Sequence, residues 1–284
     1  MEELLQWLQR AVDQRVSDVY LLPRGEQYGL FFRLPQGVRE QTRVGRHVAS
    51  RWLNYLKYQA GMNVAEHRRV QLGALVLSQP EVTLRLSTVG DVNQQETLVA
   101  RLIYGIPPLD DDSRQAVTTL LPLVKKRGLL ALSGATGSGK TTLLYQLAEA
   151  LSPELMVMTI EDPVEILHPR FLQLQVNPAA EMSYAALLKA ALRHRPDVLI
   201  IGEIRDGQTA QAACEAAVSG HIVLATVHAK SAALVPLRLQ ALGVSTALVT
   251  AALVASAEVR LVFSPRIHAE LDLAVFEGGK PDAT

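Results

Sequence analysis

Leu4, Leu5, Leu8 and Val12 recur at helical spacing, which predicts an amphipathic helix over 2–14. Strands are predicted over 19–22 and 28–34, around a Pro-Arg-Gly turn at 23–25. A second helix is expected over 46–60, with Val48, Trp52, Leu53 and Leu56 on one face. Strand-like runs follow near 70–77, 81–87 and 97–103. In the middle run Val82, Leu84 and Leu86 alternate with Thr83, Arg85 and Ser87, the pattern of a half-buried strand. This half reads as a small sheet carrying helices.

The pattern then breaks. Gly105-Ile-Pro-Pro-Leu-Asp-Asp-Asp112 joins two prolines to an acidic run and reads as a linker leading into a helix N-terminus. Beyond it, short apolar runs at 128–133, 155–160, 197–202 and 221–226 alternate with helical stretches near 140–151, 183–195 and 207–219. Such alternation predicts an α/β fold, a parallel sheet covered by helices on both faces. Two domains are expected, 1–106 and 107–284. Near the end, 258–263 and 268–276 read as short strands and 277–284 as a polar tail.

Composition narrows the function classes. Of 284 residues, 49% are hydrophobic and 20% charged, enough apolar material for a full core. The 28 basic and 28 acidic side chains cancel. A dedicated nucleic-acid binder carries a basic excess, so direct nucleic-acid binding is not expected. The halves differ little: residues 1–106 hold 13 basic and 10 acidic side chains, the remainder 15 and 18. Cys214 is the single cysteine. It excludes an intrachain disulfide and a multi-cysteine zinc site, so no zinc is expected, and it implies a reducing compartment. Its plain reading is a small buried residue on a helix. The N-terminus lacks the basic start and apolar run of a signal peptide. No apolar stretch reaches the ~18 residues of a membrane span, so work at a membrane would need a partner.

Chemistry enters at Gly134, Ala135, Thr136, Gly137, Ser138, Gly139, Lys140 and Thr141, which fit G-x-x-x-x-G-K-[ST]. A predicted strand precedes this run and a predicted helix follows, with Thr142 in its first turn. Glycines let main-chain N–H groups turn inward around phosphate oxygens, and the helix N-terminus adds partial positive charge. A nucleotide is the expected ligand, with Lys140 on the β- and γ-phosphates and Thr141 on Mg²⁺. A second signal is Glu203, just past the apolar run after Asp197. Ligands of open α/β sheets bind at the strands' carboxyl ends. Glu203 is therefore placed to hold Mg²⁺ through water or to orient the attacking water; the alternative is a loop acid paired with Arg205. Gly202 precedes it where many ATPases have aspartate.

Three further segments make the pattern specific. Thr159-Ile-Glu-Asp-Pro-Val-Glu165 resembles the Asp box of the type II/type IV secretion ATPase superfamily. Gly202-Glu-Ile-Arg-Asp206 resembles its Walker B ending, and Ser219-Gly-His-Ile-Val-Leu-Ala-Thr-Val-His228 its His box. In the first half Ser17-Asp-Val-Tyr20, Leu84-Arg-Leu-Ser-Thr88 and Val99-Ala-Arg-Leu102 are similar to its strand motifs. The resemblance covers roughly residues 15–265.

The resemblance implies a small PAS-like domain followed by a RecA-like ATPase domain, assembled as a homohexamer. It implies Glu165 as the general base, Glu203 as support for Mg²⁺ and water, and His228 beside the γ-phosphate. Arg85 and Arg101 would stabilise phosphate charge. Each has a plain alternative: a loop acid for Glu165, a hydrogen-bonded strand-end histidine for His228, solvated strand faces for the two arginines. His221 reads as structural. Tyr20 and His194-Arg195 depart from the family's usual residues. The short form with Leu192-Arg-His-Arg-Pro-Asp197 is most similar to the competence-pilus subfamily of Gram-positive bacteria. That implies a cytoplasmic motor held at the inner face of the membrane by a polytopic platform protein. It would act on pilins indirectly and power a DNA-uptake pilus or pseudopilus. A retraction or type II secretion ATPase is one alternative. A nucleotide-gated scaffold with little turnover is another.

Overall fold

The computed structural model describes residues 1–34, 36–177, 180–263, 267–277 and 280–281. The chain divides into two compact units, Met1–Tyr104 and Gly105–Thr284.

The first unit runs α1 (Glu2–Asp13), β1 (Asp18–Arg24), β2 (Gln27–Leu34), β3 (Gly37–Gly45), α2 (Arg46–Gln59), β4 (Gln71–Ser78), β5 (Glu81–Gly90) and β6 (Glu96–Ile103). Its sheet is antiparallel, in the order β3-β2-β1-β6-β5-β4. Period-two alternation sends Leu30, Phe32, Leu84, Leu86 and Leu98 to one face, where Leu4 and Leu8 of α1 and Trp52, Leu53 and Leu56 of α2 cover them. Register places Arg85 opposite Arg101, and Asp18 between Arg101 and Arg33.

Two details differ from the sequence reading here. The β1–β2 turn falls on Gly25-Glu26, with Gly25 at φ +62°, and Pro23 and Arg24 remain in the strand. Strand β3 was not foreseen: it is an edge strand whose mostly exposed, charged residues carry no burial alternation. Beneath the segment after α2, Lys57 is 0% exposed. Its Nζ donates to Glu96 Oε1 at 2.5 Å and to the Glu66 carbonyl at 2.7 Å, while Glu96 Oε2 lies 2.7 Å from His67 Nδ1. A lysine this deep requires a partner.

The second unit runs α3 (Asp111–Val124), β7 (Gly128–Ser133), α4 (Lys140–Leu151), β8 (Val157–Glu161), β9 (Leu172–Gln175), α5 (Tyr184–Arg193), β10 (Val198–Ile204), α6 (Gly207–Val218), β11 (Ile222–Val227), α7 (Val235–Ala241), α8 (Thr246–Ala252), β12 (Leu253–Phe263), β13 (Ile267–Glu277) and β14 (Lys280–Pro281). The sheet order is β14-β13-β12-β7-β11-β10-β8-β9. The strands from β12 to β9 in that order are parallel, and β13 and β14 add antiparallel. Every residue of β7 is buried, as a strand covered on both faces requires. Leu130, Leu132, Ile200 and Leu224 meet Leu120 of α3 and Leu144 and Leu147 of α4. Leu129, Ala131, Leu199 and Val223 face the other way, against Leu188 of α5 and Ala213 and Cys214 of α6.

The linker ends where Asp110 caps α3, accepting from the Ser113 amide at 2.8 Å. Strand β9 and helices α7 and α8 were not foreseen. Strand β12 begins at Leu253, five residues earlier than expected, because its alanines, which favour a helix locally, pack flat beside β7. In the expected polar tail, Lys280 and Pro281 pair with β13; residues 278–279 and 282–284 lie outside those described.

Candidate functional site: a phosphate loop and two strand-end carboxylates

Strand β7 ends at Ser133 and the chain turns through Gly134–Gly139 into α4. Gly134, Gly137 and Gly139 sit at φ +136°, +79° and +96°, where only glycine is unstrained. At Gly134 space is also decisive: a Cβ there would lie 2.3 Å from the Val259 carbonyl oxygen of β12. Gly139 caps α4, whose free amides face the loop. Lys140 folds back, its Nζ donating to the carbonyls of Gly134 at 3.0 Å and Ala135 at 2.7 Å. An ammonium has three donors, so one is left for a phosphate oxygen. Burial holds the Lys140 pKa below its ordinary value, against the opposing charges of Glu203 and Glu165.

Beside this loop lies a cleft of about 470 Å³ at the carboxyl ends of β7, β8, β10 and β11. Of the expected site residues, Thr136, Gly137, Gly139, Lys140, Thr141, Thr142, Glu165, Glu203 and His228 line it. Ser138 lines a second hollow, which shares Gly139 and Thr142 with the cleft. Glu161, Asp162, Tyr184, Arg205 and Thr226 also line the cleft and were not singled out as site residues. Arg205 had been named only as a possible partner of Glu203. The Asp-box match contained Glu161 without marking it. Tyr184 had no local signal beyond its place at the start of a helix.

Glu203 is held from both sides. Its Oε1 lies 2.6 Å from His228 Nε2, and its Oε2 accepts from Arg205 Nε at 2.6 Å. Burial pushes its pKa up, but the hydrogen bond and charge of Arg205, with those of His228, outweigh it and hold the carboxyl below its usual range. The Arg205 pair weighed as an alternative is thus formed, and it leaves Glu203 ionised at the cleft. Glu161 is the reverse case. It is 2% exposed, and burial raises its pKa despite donors from Thr159 and Tyr145.

Glu165 follows Pro163 on the loop after β8 and is exposed to the cleft. Arg85 and Arg101 belong to the first unit, on facing positions of β5 and β6. Arg101 Nε donates at 2.9 Å to Asp18, itself 3% exposed. His221 Nδ1 lies 3.0 Å from the Ala216 carbonyl. Cys214 is buried in α6, and burial pushes its thiol up to about 12.

The donors suit Mg²⁺ carried in by phosphates. Thr141 and Glu203 offer hard oxygens on one cleft, and among the described residues no cluster of three or more His, Cys, Asp or Glu could form an all-protein cage.

Comparison with known proteins agrees. Residues 1–274 match the family described as Type II/IV secretion system protein. Competence protein ComGA of Streptococcus pneumoniae is 40% identical over 251 residues, 86% of this chain and 79% of that one. Competence protein ComGA of Bacillus subtilis is 37% identical over 264 residues, 90% of this chain and 74% of that one. Among solved structures, the pilus retraction motor PilT with bound ADP superposes with a TM-score of 0.76 at 21% identity, covering 96% of this chain and 83% of that one. Loop, strand-end carboxylates and sequence relationship together place the chain in the Type II/IV secretion system protein family.

Proposed function

We propose that the chain is an ATP-hydrolysing motor that powers assembly of a competence-type pilus or pseudopilus for DNA uptake. The observation that carries the chemistry is the convergence of Lys140, Glu165, Glu203 and His228 on one cleft beside a phosphate loop. The pilus assignment rests on the likeness to the ComGA proteins.

MgATP is the substrate. The α4 amides and the third donor of Lys140 meet the β- and γ-phosphates. Thr141 and Glu203 would hold the Mg²⁺ that arrives with the nucleotide, which would neutralise charge developing on the phosphates. Glu165 takes the proton of the attacking water as its oxygen bonds to the γ-phosphorus and the bond to the β–γ bridging oxygen breaks, releasing ADP and inorganic phosphate. His228, bonded to Glu203, fixes the carboxylate and responds to loss of the γ-phosphate. Arg85 and Arg101, on facing positions of β5 and β6, keep the phosphate-charge role that the family resemblance implies for them. The hollow of about 210 Å³ that shares Gly139 and Thr142 with the cleft takes the nucleoside. Pro107, Pro108, Leu143, Val259 and Leu271 give it apolar walls, and Ser138 Oγ is buried there without a hydrogen-bond partner among the described residues. No described helix is long and apolar enough to cross a membrane. The motor works as a homohexamer in the cytoplasm, held at the inner face of the membrane by a polytopic platform protein and moving pilins through it.

The test is steady-state phosphate release with oligomer mass measured with and without MgATP, then filament counts in a deletion strain. Multiple turnover by a hexamer, abolished in Lys140→Ala, and loss of filaments on deletion are expected. A protein that binds ATP but turns over no faster than Lys140→Ala even with its platform protein overturns the motor reading. Filaments that persist or accumulate on deletion overturn assembly in favour of retraction.

A further inference from the structure

Glu161 ends β8 at the floor of the cleft, and the proposed reaction gives it no role. Its Oε1 accepts from Tyr145 Oη at 2.5 Å and from Thr159 Oγ1 at 2.7 Å. Tyr145 lies in α4, the helix that begins with Lys140, and its ring is fully buried. The same hydroxyl accepts from Gln173 Nε2 of β9 at 2.7 Å. Gln173 in turn holds the loop that carries Glu165. Its Nε2 donates to the Ile166 carbonyl at 2.8 Å, and its Oε1 accepts from the His168 amide at 2.9 Å. Gln175 Oε1 takes the Val164 amide at 3.1 Å. The main-chain amides and carbonyl around Glu165 are thus tied to β9, and through the Tyr145 hydroxyl to the phosphate helix.

Space is kept for this arrangement. A Cβ on Gly202 would lie 3.1 Å from Glu161 Cγ, tighter than ordinary packing. The glycine just before Glu203 therefore clears room for the carboxyl of the neighbouring strand. Buried polar groups are retained where every member is satisfied, and such networks fix one geometry.

We propose that Glu161, Tyr145 and Gln173 are positioning residues that tie the phosphate-binding helix to the loop bearing Glu165, so that the aim of the base is set by the helix that grips the phosphates. The proposal rests on the reading of Glu165 as the base. None of the three side chains takes a proton from water. They act through Glu165, and a base displaced by about 1 Å can lose up to ~10²-fold in rate.

The experiment uses the full chain and compares Tyr145→Phe, which removes one oxygen and keeps the ring, with Gln173→Met, alone and combined with Glu165→Gln. The readouts are kcat and KM for ATP, Kd for a slowly hydrolysed ATP analogue, and Tm. Each single variant should lose roughly 10- to 100-fold in kcat, with Kd unchanged. Neither should lower the residual rate of Glu165→Gln further. Wild-type kcat in both overturns the proposal, as does an equal further loss in the Glu165→Gln background, which would mark a general structural effect. If Tyr145→Phe fails to fold, Gln173→Met decides by the same criteria. Failure of the base reading is seen separately, as Glu165→Gln turning over like wild type.

Discussion

Gly134→Ala is a sharp test of the phosphate loop because two independent penalties meet there. The residue sits at φ +136°, a region essentially closed to residues with a Cβ. The added carbon would also fall 2.3 Å from the Val259 carbonyl oxygen and 2.9 Å from Ser138 Oγ. The nearer obstacle is main chain of β12, a strand paired to β7 through Leu253–Glu258, so it has no rotamer by which to move away. Backbone strain contributes about 1–3 kcal/mol and overpacking a similar amount, roughly 2–6 kcal/mol together. For a unit of this size each kcal/mol shifts Tm by about 2–4 °C. Gly137→Ala is the matched control, since φ is +79° but none of the described residues lies within 4 Å of its Cβ. It meets only the strain. Thermal melts with and without MgATP measure both. Gly134→Ala should melt well below Gly137→Ala and lose its stabilisation by nucleotide. Equal melting of the two, or a Gly134→Ala protein as stable as wild type, would refute the contact with β12 as the reason for glycine.

Glu165→Gln should bind ATP normally and hydrolyse it ~10²–10⁴-fold more slowly, as loss of a general base does; filter binding and single-turnover kinetics check the two halves separately. The carboxyls of Glu203, Asp110 and Asp206 are held below their ordinary pKa, Asp110 and Asp206 chiefly by hydrogen bonds from Ser113 and Thr209. Below the unfolded carboxyl values near ~4 the unfolded chain then binds more protons, so their stabilisation is present above that pH and drains away as pH falls through the folded values. Melts from pH 7 to 3 should show this acid limb, and Asp110→Asn, which keeps a capping oxygen, should flatten it; an unchanged limb would exclude Asp110 as a contributor. Cys214 should resist alkylation in the native protein at pH 8 and react once it is denatured, as its burial and raised thiol pKa require; prompt native labelling counted by mass spectrometry would contradict the packing of α6.

What was legible in the sequence has local causes. Glycine spacing before Lys140 marks a turn that only a phosphate-type loop needs, and the apolar run of β7 marks a strand covered on both faces. The alternation through Val82, Leu84 and Leu86 marks β5 in the same way. Other elements leave no such mark. Strand β3 faces solvent along most of its length, so its charges carry no period. The alanines of β12 favour a helix locally, and only pairing with β7 overrides them. Helices α7 and α8 have seven residues each, too few for a stripe to repeat. At the site, Glu203 was legible because it stands just past an apolar run, near the carboxyl end of β10. Glu161 was not, because its meaning comes from Tyr145 and Gln173, 16 and 12 residues away in the chain and on different elements.

The buried pairing of Lys57 with Glu96 restricts how this half of the chain can diverge. Losing either partner alone strands a charge in the core, at about 3–5 kcal/mol, a large share of the ~5–15 kcal/mol by which a domain is stable. Exchanging both for well-packed apolar residues is often neutral. The two states are therefore separated by single-step intermediates that fold poorly, and positions 57 and 96 have to be inherited together. A recombinant that takes α2 from one relative and β6 from another should fold only when both parents carry the charged pair or both lack it.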